Sequence, residues 1–155
     1  MDMPDLTLKR RKLIHAFALL PVGAVLRSSS TSAQSDIVQP TERTKAGFLA
    51  RARALRDQAV REGDQAYGAV VVRAGMIVGE GRNYVVLEND PTAHAELLAV
   101  RDACRRLKTR DLSDCEVYST ATPCPMCQAA LYWAHVRLYH NESTPEKGAA
   151  PRLAC

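Results

Sequence analysis

The chain is 155 residues long, 46% apolar and 25% charged, the size and composition of one ordinary globular domain. No apolar run approaches the ~18 residues needed to cross a bilayer, so stable membrane insertion is not expected. The formal charge of +4 invites a nucleic-acid reading until it is located. Residues 1–33 hold five of the 21 basic residues and two of the 17 acidic ones, leaving 16 against 15 for the rest of the chain. A body so nearly neutral lacks the electrostatic footprint that phosphates require, and nucleic acid is not an expected partner.

The basicity belongs to a leader. Lys9-Arg10-Arg11-Lys12 precedes a short apolar stretch, Ile14 to Leu26, broken by His15 and Pro21, and Thr31-Ser32-Ala33 offers small residues for cleavage after Ala33. A positive start, a short apolar middle and a small-residue end describe a secretory signal. The Arg10-Arg11 pair makes it resemble a twin-arginine signal, which implies the twin-arginine export machinery as a partner and a periplasmic or secreted product. That route carries folded proteins, which suits a chain that takes up metal as it folds. The competing reading is a basic, disordered N-terminus or an uncleaved amphipathic helix. Residues 34–40 read as linker.

Thr41 to Glu62 reads as an amphipathic helix, with Phe48, Leu49, Ala52, Leu55, Ala59 and Val60 at roughly helical spacing and Gly63-Asp64 as its stop. Ala69 to Arg73 and Met76 to Glu80 are β-branched runs around Ala74-Gly75, a hairpin signal. Asn83 lies just beyond the second strand. Pro91-Thr92 then predicts a second helix with Thr92 as N-cap, burying Leu97, Leu98, Val100 and Leu107 and ending before Asp111. Glu116 to Ser119 predicts a third strand. A third helix starts at Pro125, where a missing N–H costs nothing, and runs to about Ala134. Val136 to Tyr139 predicts a fourth strand. The order α-β-β-α-β-α-β implies an α/β sheet covered by helices.

The two later helix starts carry metal-ligand chemistry. Residues two apart on a helix point roughly 200° away from each other, so His94 and Glu96 converge only on a target near the axial end of the helix, in its first turn. Cys124 and Cys127 are three apart and share a face. Their place at a helix N-terminus favours the thiolate form that zinc requires. One His and two Cys leave the fourth tetrahedral position for water, the mark of a catalytic zinc site rather than a closed structural one. Glu96 is then the natural base for that water. A redox Cys-x-x-Cys and a structural zinc site are the bland alternatives; no obvious fourth protein ligand supports the latter. Cys104, Cys115 and Cys155 stand outside the metal set, an odd number that leaves at least one without an intramolecular partner in an oxidising compartment.

Asp90-Pro91-Thr92-Ala93-His94-Ala95-Glu96 and Pro123-Cys124-Pro125-Met126-Cys127 resemble the signatures of the cytidine-deaminase-like zinc deaminase superfamily. Tyr67-Gly68-Ala69-Val70, Gly79-Glu80-Gly81-Arg82-Asn83 and Leu131-Tyr132-Trp133-Ala134 extend the likeness, which is closest to the bacterial guanine deaminase and tRNA adenosine deaminase branch and runs from about Thr41 to Tyr139. The resemblance implies a three-layer α-β-α sandwich with a mixed central sheet and a domain spanning residues 41–140. It implies Zn2+ held by His94, Cys124 and Cys127, with Glu96 taking a proton from the attacking water and passing it to a ring nitrogen and then to the departing amine. It also implies that Asn83 holds the base through its side-chain amide, that the backbone N–H groups of Ala95 and Cys124 orient substrate and stabilise developing charge, and that Trp133 is a candidate substrate contact. Tyr67 and Tyr84 are further candidates for the pocket wall. A homodimer is expected by family analogy.

Two departures stand out. Thr122 occupies a place where the guanine and tRNA branch usually carries Glu, and a Ser or Thr there looks more like cytosine or cytidine deaminases. After Tyr139 the family continues with another strand and at least one helix, whereas residues 141–155 read as a short irregular tail, making the domain C-terminally short. The expectation is therefore a zinc-dependent deaminase of a free base or nucleoside, guanine-like purine ahead of cytosine-like. The alternatives are an inactive zinc-binding remnant and a secreted deaminase effector or toxin.

Overall fold

Thr44 opens the first helix, its hydroxyl accepting from the Gly47 N–H at 3.2 Å. Helix α1 runs Lys45–Arg61 and buries Phe48, Ala52, Leu55 and Ala59. It begins four residues later than the apolar spacing alone predicts. Strands β1 (Gly68–Arg73) and β2 (Met76–Arg82) follow, joined at Ala74 and Gly75, both at positive φ. Two positive φ values in a two-residue loop are what a type I′ hairpin requires. Helix α2 spans Ala95–Leu107, β3 Cys115–Ser119, α3 Pro125–Trp133, β4 Leu138–His140 and β5 Pro145–Lys147. This computed structural model describes residues 36–136, 138–141 and 145–147. The leader, most of the tail and Cys155 lie outside the described residues, in which no helix is long and apolar enough to cross a membrane.

The strands form one sheet in the order β2-β1-β3-β4-β5. Only β3 and β4 run parallel; the other neighbours are antiparallel. The mixed sheet and its two covering layers match the expected α-β-α architecture. Alternation along β1 decides which layer covers what. Val70 and Val72 face α1 in a cluster with Phe48, Leu55, Ile77 and Tyr118. Ala69 and Val71 face the opposite way, into a cluster with Ala95, Ala99, Val100 and Ala103 of α2 and Leu131 of α3.

Helix α2 differs from the prediction in start and in buried face. It begins at Ala95 with His94 as N-cap, because the Thr92 hydroxyl and N–H both go to Asp90 Oδ1 at 2.7 Å instead of capping the helix. Val100 is buried as expected, but the rest of the apolar buried stripe is alanine, with Leu97, Leu98 and Leu107 only half-buried. The reason lies in β2. A Cβ on Gly81 would stand 2.1 Å from the Ala95 carbonyl oxygen, and one on Gly79 would stand 2.6 Å from the Ala99 oxygen and the Ala103 N. Bare glycines on the strand and alanines on the helix let the two backbones nearly touch. The start of α2, with His94 and Glu96, is thereby set at a fixed height over the sheet.

Two stretches outside the predicted elements make specific contacts with the sheet or its covering layers. In the 34–40 stretch, Ile37 packs on the α1 cluster, and the Gln39 side chain clasps Ile77, donating to its carbonyl at 2.8 Å and accepting from its N–H at 2.9 Å. Farther along β2, the Glu80 N–H donates to Asp102 Oδ2 at 3.1 Å, so side chains occupy hydrogen-bonding groups on the outer edge of the sheet. In the tail, residues 145–147 pair antiparallel with β4. A Pro-Glu-Lys triplet has no strand propensity of its own; β4 supplies the pairing partner.

Candidate active site

The metal-ligand residues all fall where helices begin. His94 is the N-cap of α2 and Cys124 the N-cap of α3, and neither side chain makes a capping hydrogen bond. Cys127 is the third residue of α3. The N-cap and third positions of a helix are those whose side chains meet in a capping box; here both are thiols. Cys124 Sγ lies 3.6 Å and Cys127 Sγ 3.7 Å from His94 Nδ1, and the three ligand atoms all lie within 4.8 Å of one another.

These distances test the fit to zinc. A tetrahedral ion bonded at about 2.05 Å to nitrogen and about 2.3 Å to sulfur separates the two ligand atoms by about 3.6 Å. The spacing here agrees, and the donor set of one imidazole and two thiols is one that zinc takes. Without an ion, burial pushes the Cys127 thiol far up, reinforced by the Glu96 carboxylate and the Cys124 sulfur. A divalent cation reverses that balance by deprotonating the thiols it binds.

Glu96 stands beside the cluster, only 5% exposed. Its Oε2 is 3.7 Å from Cys127 Sγ, and its Oε1 accepts from the Ser119 hydroxyl at 3.0 Å. Burial raises the Glu96 pKa, opposed by its own backbone N–H and by Ser119. Ser119, which ends β3, carries no signal of this role in the sequence; only the adjacency of β3 and β1 brings it under α2. Ala95 is the first residue of α2 and Cys124 caps α3, so both backbone N–H groups belong to helix starts, where intrahelical partners are lacking.

A cavity of about 220 Å³ opens on the cluster, lined by Gln65, Tyr67, His94, Glu96, Ala121, Thr122 and Cys124. Tyr67, a candidate for the wall, is in it. Asn83 is 1% exposed, donates through Nδ2 to Asp64 Oδ1 at 2.9 Å and Gln65 Oε1 at 3.2 Å, and leaves its own Oδ1 without a partner. Thr122 Oγ1 accepts from the buried Asn141 at 3.0 Å. Two candidates fall elsewhere. Tyr84 lies under the Arg82 guanidinium, 4.3 Å from its ring centre, in a cleft against α2. Trp133 is 66% exposed, edge-on to Tyr132, and lines a separate depression with Cys104, Arg110, Ala134 and His135. It ends α3, nine residues after Cys124, and is not among the residues that line the cavity on the metal cluster.

Known proteins share this arrangement. The guanine deaminase of Bacillus subtilis is 49% identical over 88 residues, 56% of this chain and 56% of its own. The tRNA-specific adenosine deaminase of Aquifex aeolicus is 45% identical over 85 residues, 54% of this chain and 56% of its own. The chain thus spans a little over half the length of these curated relatives. The X-ray structure of the Bacillus subtilis guanine deaminase superposes with a TM-score of 0.61 at 43% identity, covering 63% of each chain. The pattern described as the cytidine and deoxycytidylate deaminase zinc-binding region matches residues 42–140, which take in every residue of the metal cluster, and the chain belongs to that family.

Proposed function

We propose that this chain is a zinc-dependent hydrolytic deaminase of a free nucleobase or nucleoside, with a guanine-like purine as the favoured substrate. The observation that carries this reading is Glu96. A zinc site that only braces a fold needs no buried carboxylate beside three ligands, whereas hydrolysis needs a base there. Two relatives that act on purine rings support the purine assignment. A cavity of about 220 Å³ suits a single ring system better than a polymer, in keeping with the near-neutral charge of the chain outside its leader.

His94, Cys124 and Cys127 would hold the zinc, which when bound supplies a Lewis acid able to bring the pKa of water down to about 7. Ser119 occupies Glu96 Oε1, leaving Oε2, on the Cys127 side, to carry the proton. Glu96 takes a proton from the attacking water and delivers it to the ring nitrogen beside the amino-bearing carbon as the new C–O bond forms. It then carries a second proton, from the hydroxyl now on that carbon, to the amine, so that the C–N bond breaks, the carbonyl forms and ammonia leaves. The N–H groups of Ala95 and Cys124 orient the ring and meet the charge that develops on it. The test is ammonia release from a panel of bases and nucleosides by zinc-loaded protein. Guanine or a close relative should give the highest rate; silence across the whole panel would overturn the reading in favour of an inactive zinc-binding remnant.

Export by the twin-arginine route belongs to the same proposal, supported by Arg10-Arg11, the apolar stretch to Leu26 and the small residues ending at Ala33. Replacing both arginines with lysine should empty the periplasmic fraction of a bacterial host. Undiminished periplasmic protein would rule that route out.

A further inference from the structure

Gly63-Asp64 reads in the sequence as a helix stop, yet Asp64 is 8% exposed and its carboxylate accepts four hydrogen bonds. Oδ1 accepts from the Gln65 N–H at 2.7 Å and from Asn83 Nδ2 at 2.9 Å; Oδ2 accepts from the Val86 N–H at 3.0 Å and the Leu87 N–H at 2.9 Å. Gln65 Oε1 takes a second bond from Asn83 Nδ2 at 3.2 Å. The buried Asn83 Oδ1 is left with nothing. Two backbone bonds fix Asn83 against the active site: its N–H donates to the Tyr67 carbonyl, and the following Tyr84 N–H donates to the carbonyl of Ala93, next to His94.

We propose that Asp64 is a positioning residue that locks the Asn83 amide with its nitrogen turned inward and its oxygen free, so that the site selects a base presenting an N–H donor to Asn83. An amide can turn over and offer either end, but an ionised carboxylate only accepts, so it admits only the NH₂ end. Burial works against the charge on Asp64, but the bonds from Leu87, Asn83, Gln65 and Val86 outweigh it and hold its pKa below the ordinary value. Asp64 is therefore a carboxylate at neutral pH. With its hydrogens committed to Asp64 and Gln65, Asn83 has only an acceptor to give, and a buried acceptor without a partner is a standing deficit that an incoming N–H removes. A ring nitrogen bearing a lone pair would meet that oxygen as acceptor against acceptor and be disfavoured. A lactam-type or imidazole-type N–H is the feature chosen.

The inference rests on the reading of this cavity as the base site, and the experiment separates the two. Zinc-loaded wild-type protein is titrated by calorimetry with guanine and with analogues in which each ring N–H in turn is replaced by C–H. One replacement should weaken binding about 10- to 100-fold, the range for leaving a buried acceptor unpaired. In Asp64→Asn that discrimination should shrink to within about 3-fold, with KM rising more than kcat falls and zinc content retained; Asp64→Glu, still a carboxylate, should restore part of it. If Asp64→Asn does not fold, the wild-type side-chain amide of Asn83 serves instead. Its two hydrogens should exchange slowly with solvent by NMR and lose that protection only at a pH below the ordinary carboxylate range, since the pKa of Asp64 is lowered. Binding that discriminates without ammonia release sinks the deaminase reading and leaves the lock standing. Ammonia release with no replacement costing more than about 2-fold, or wild-type discrimination surviving in Asp64→Asn, overturns the lock. Failure of every base to bind overturns both, whereas a fast-exchanging Asn83 amide overturns the lock alone.

Discussion

Glu96→Gln is expected to cut deamination by about 10²–10⁴-fold, the usual contribution of a general acid–base group, while zinc stays bound and the fold survives. Gln keeps the shape of the side chain and still accepts the Ser119 hydrogen bond, but it carries no proton between water and ring. Because Glu96 is 5% exposed and burial opposes its charge, the neutral replacement should cost the fold nothing and can steady it slightly. Ammonia release, zinc content and the thermal unfolding midpoint, measured on one preparation, check all three points. Activity within about twofold of wild type would remove Glu96 from the mechanism.

Cys127→Ala should behave in the opposite way. Zinc falls from about one per chain to near zero, activity goes with it, and the unfolding midpoint drops by roughly 10 °C, the equivalent of a few kcal/mol for a domain of this size. Cys127 is 1% exposed and sits where the starts of α2 and α3 converge. Loss of the ligand therefore removes both the ion and the bond that ties the two helices together, since metal binding is coupled to folding. His94→Ala should follow the same pattern from the other helix, and a chelator should reproduce it in wild type. If Cys127→Ala kept its zinc and its midpoint, the ligand set would need another member.

The contrast between these variants was legible in the sequence, because the chemistry of His94, Glu96, Cys124 and Cys127 depends on residue type and on helix starts, both local properties. The hairpin was legible too, since Ala74-Gly75 between β-branched runs announces it. What escaped depends on partners distant in sequence. Ser119 reaches Glu96 across 23 positions, and Asn83 meets Asp64 across 19; neither pairing leaves a trace in spacing or periodicity. The start of α2 was misplaced because Thr92 has the right chemistry for a cap and spends it on Asp90. The buried face of that helix was misassigned for a related reason. The apolar leucines drew attention, while Gly79 and Gly81 on another element had already selected alanine for the contact. Trp133 is a substrate contact by resemblance alone, and it lines a separate depression at the far end of α3.

The clasp of Gln39 on Ile77 bears on how this protein behaves in a test tube. Strand β2 is an edge strand of its sheet, and an edge strand with open amide groups is a template on which other chains can stack. The Gln39 amide, donor and acceptor together, fills one such position as a peptide would. Where the polypeptide is trimmed relative to Gln39 thus matters. Material beginning at or before Gln39 keeps its shield and should stay dispersed, whereas material beginning after it opens the amide groups of Ile77 and a route to insoluble, sheet-stacked aggregates.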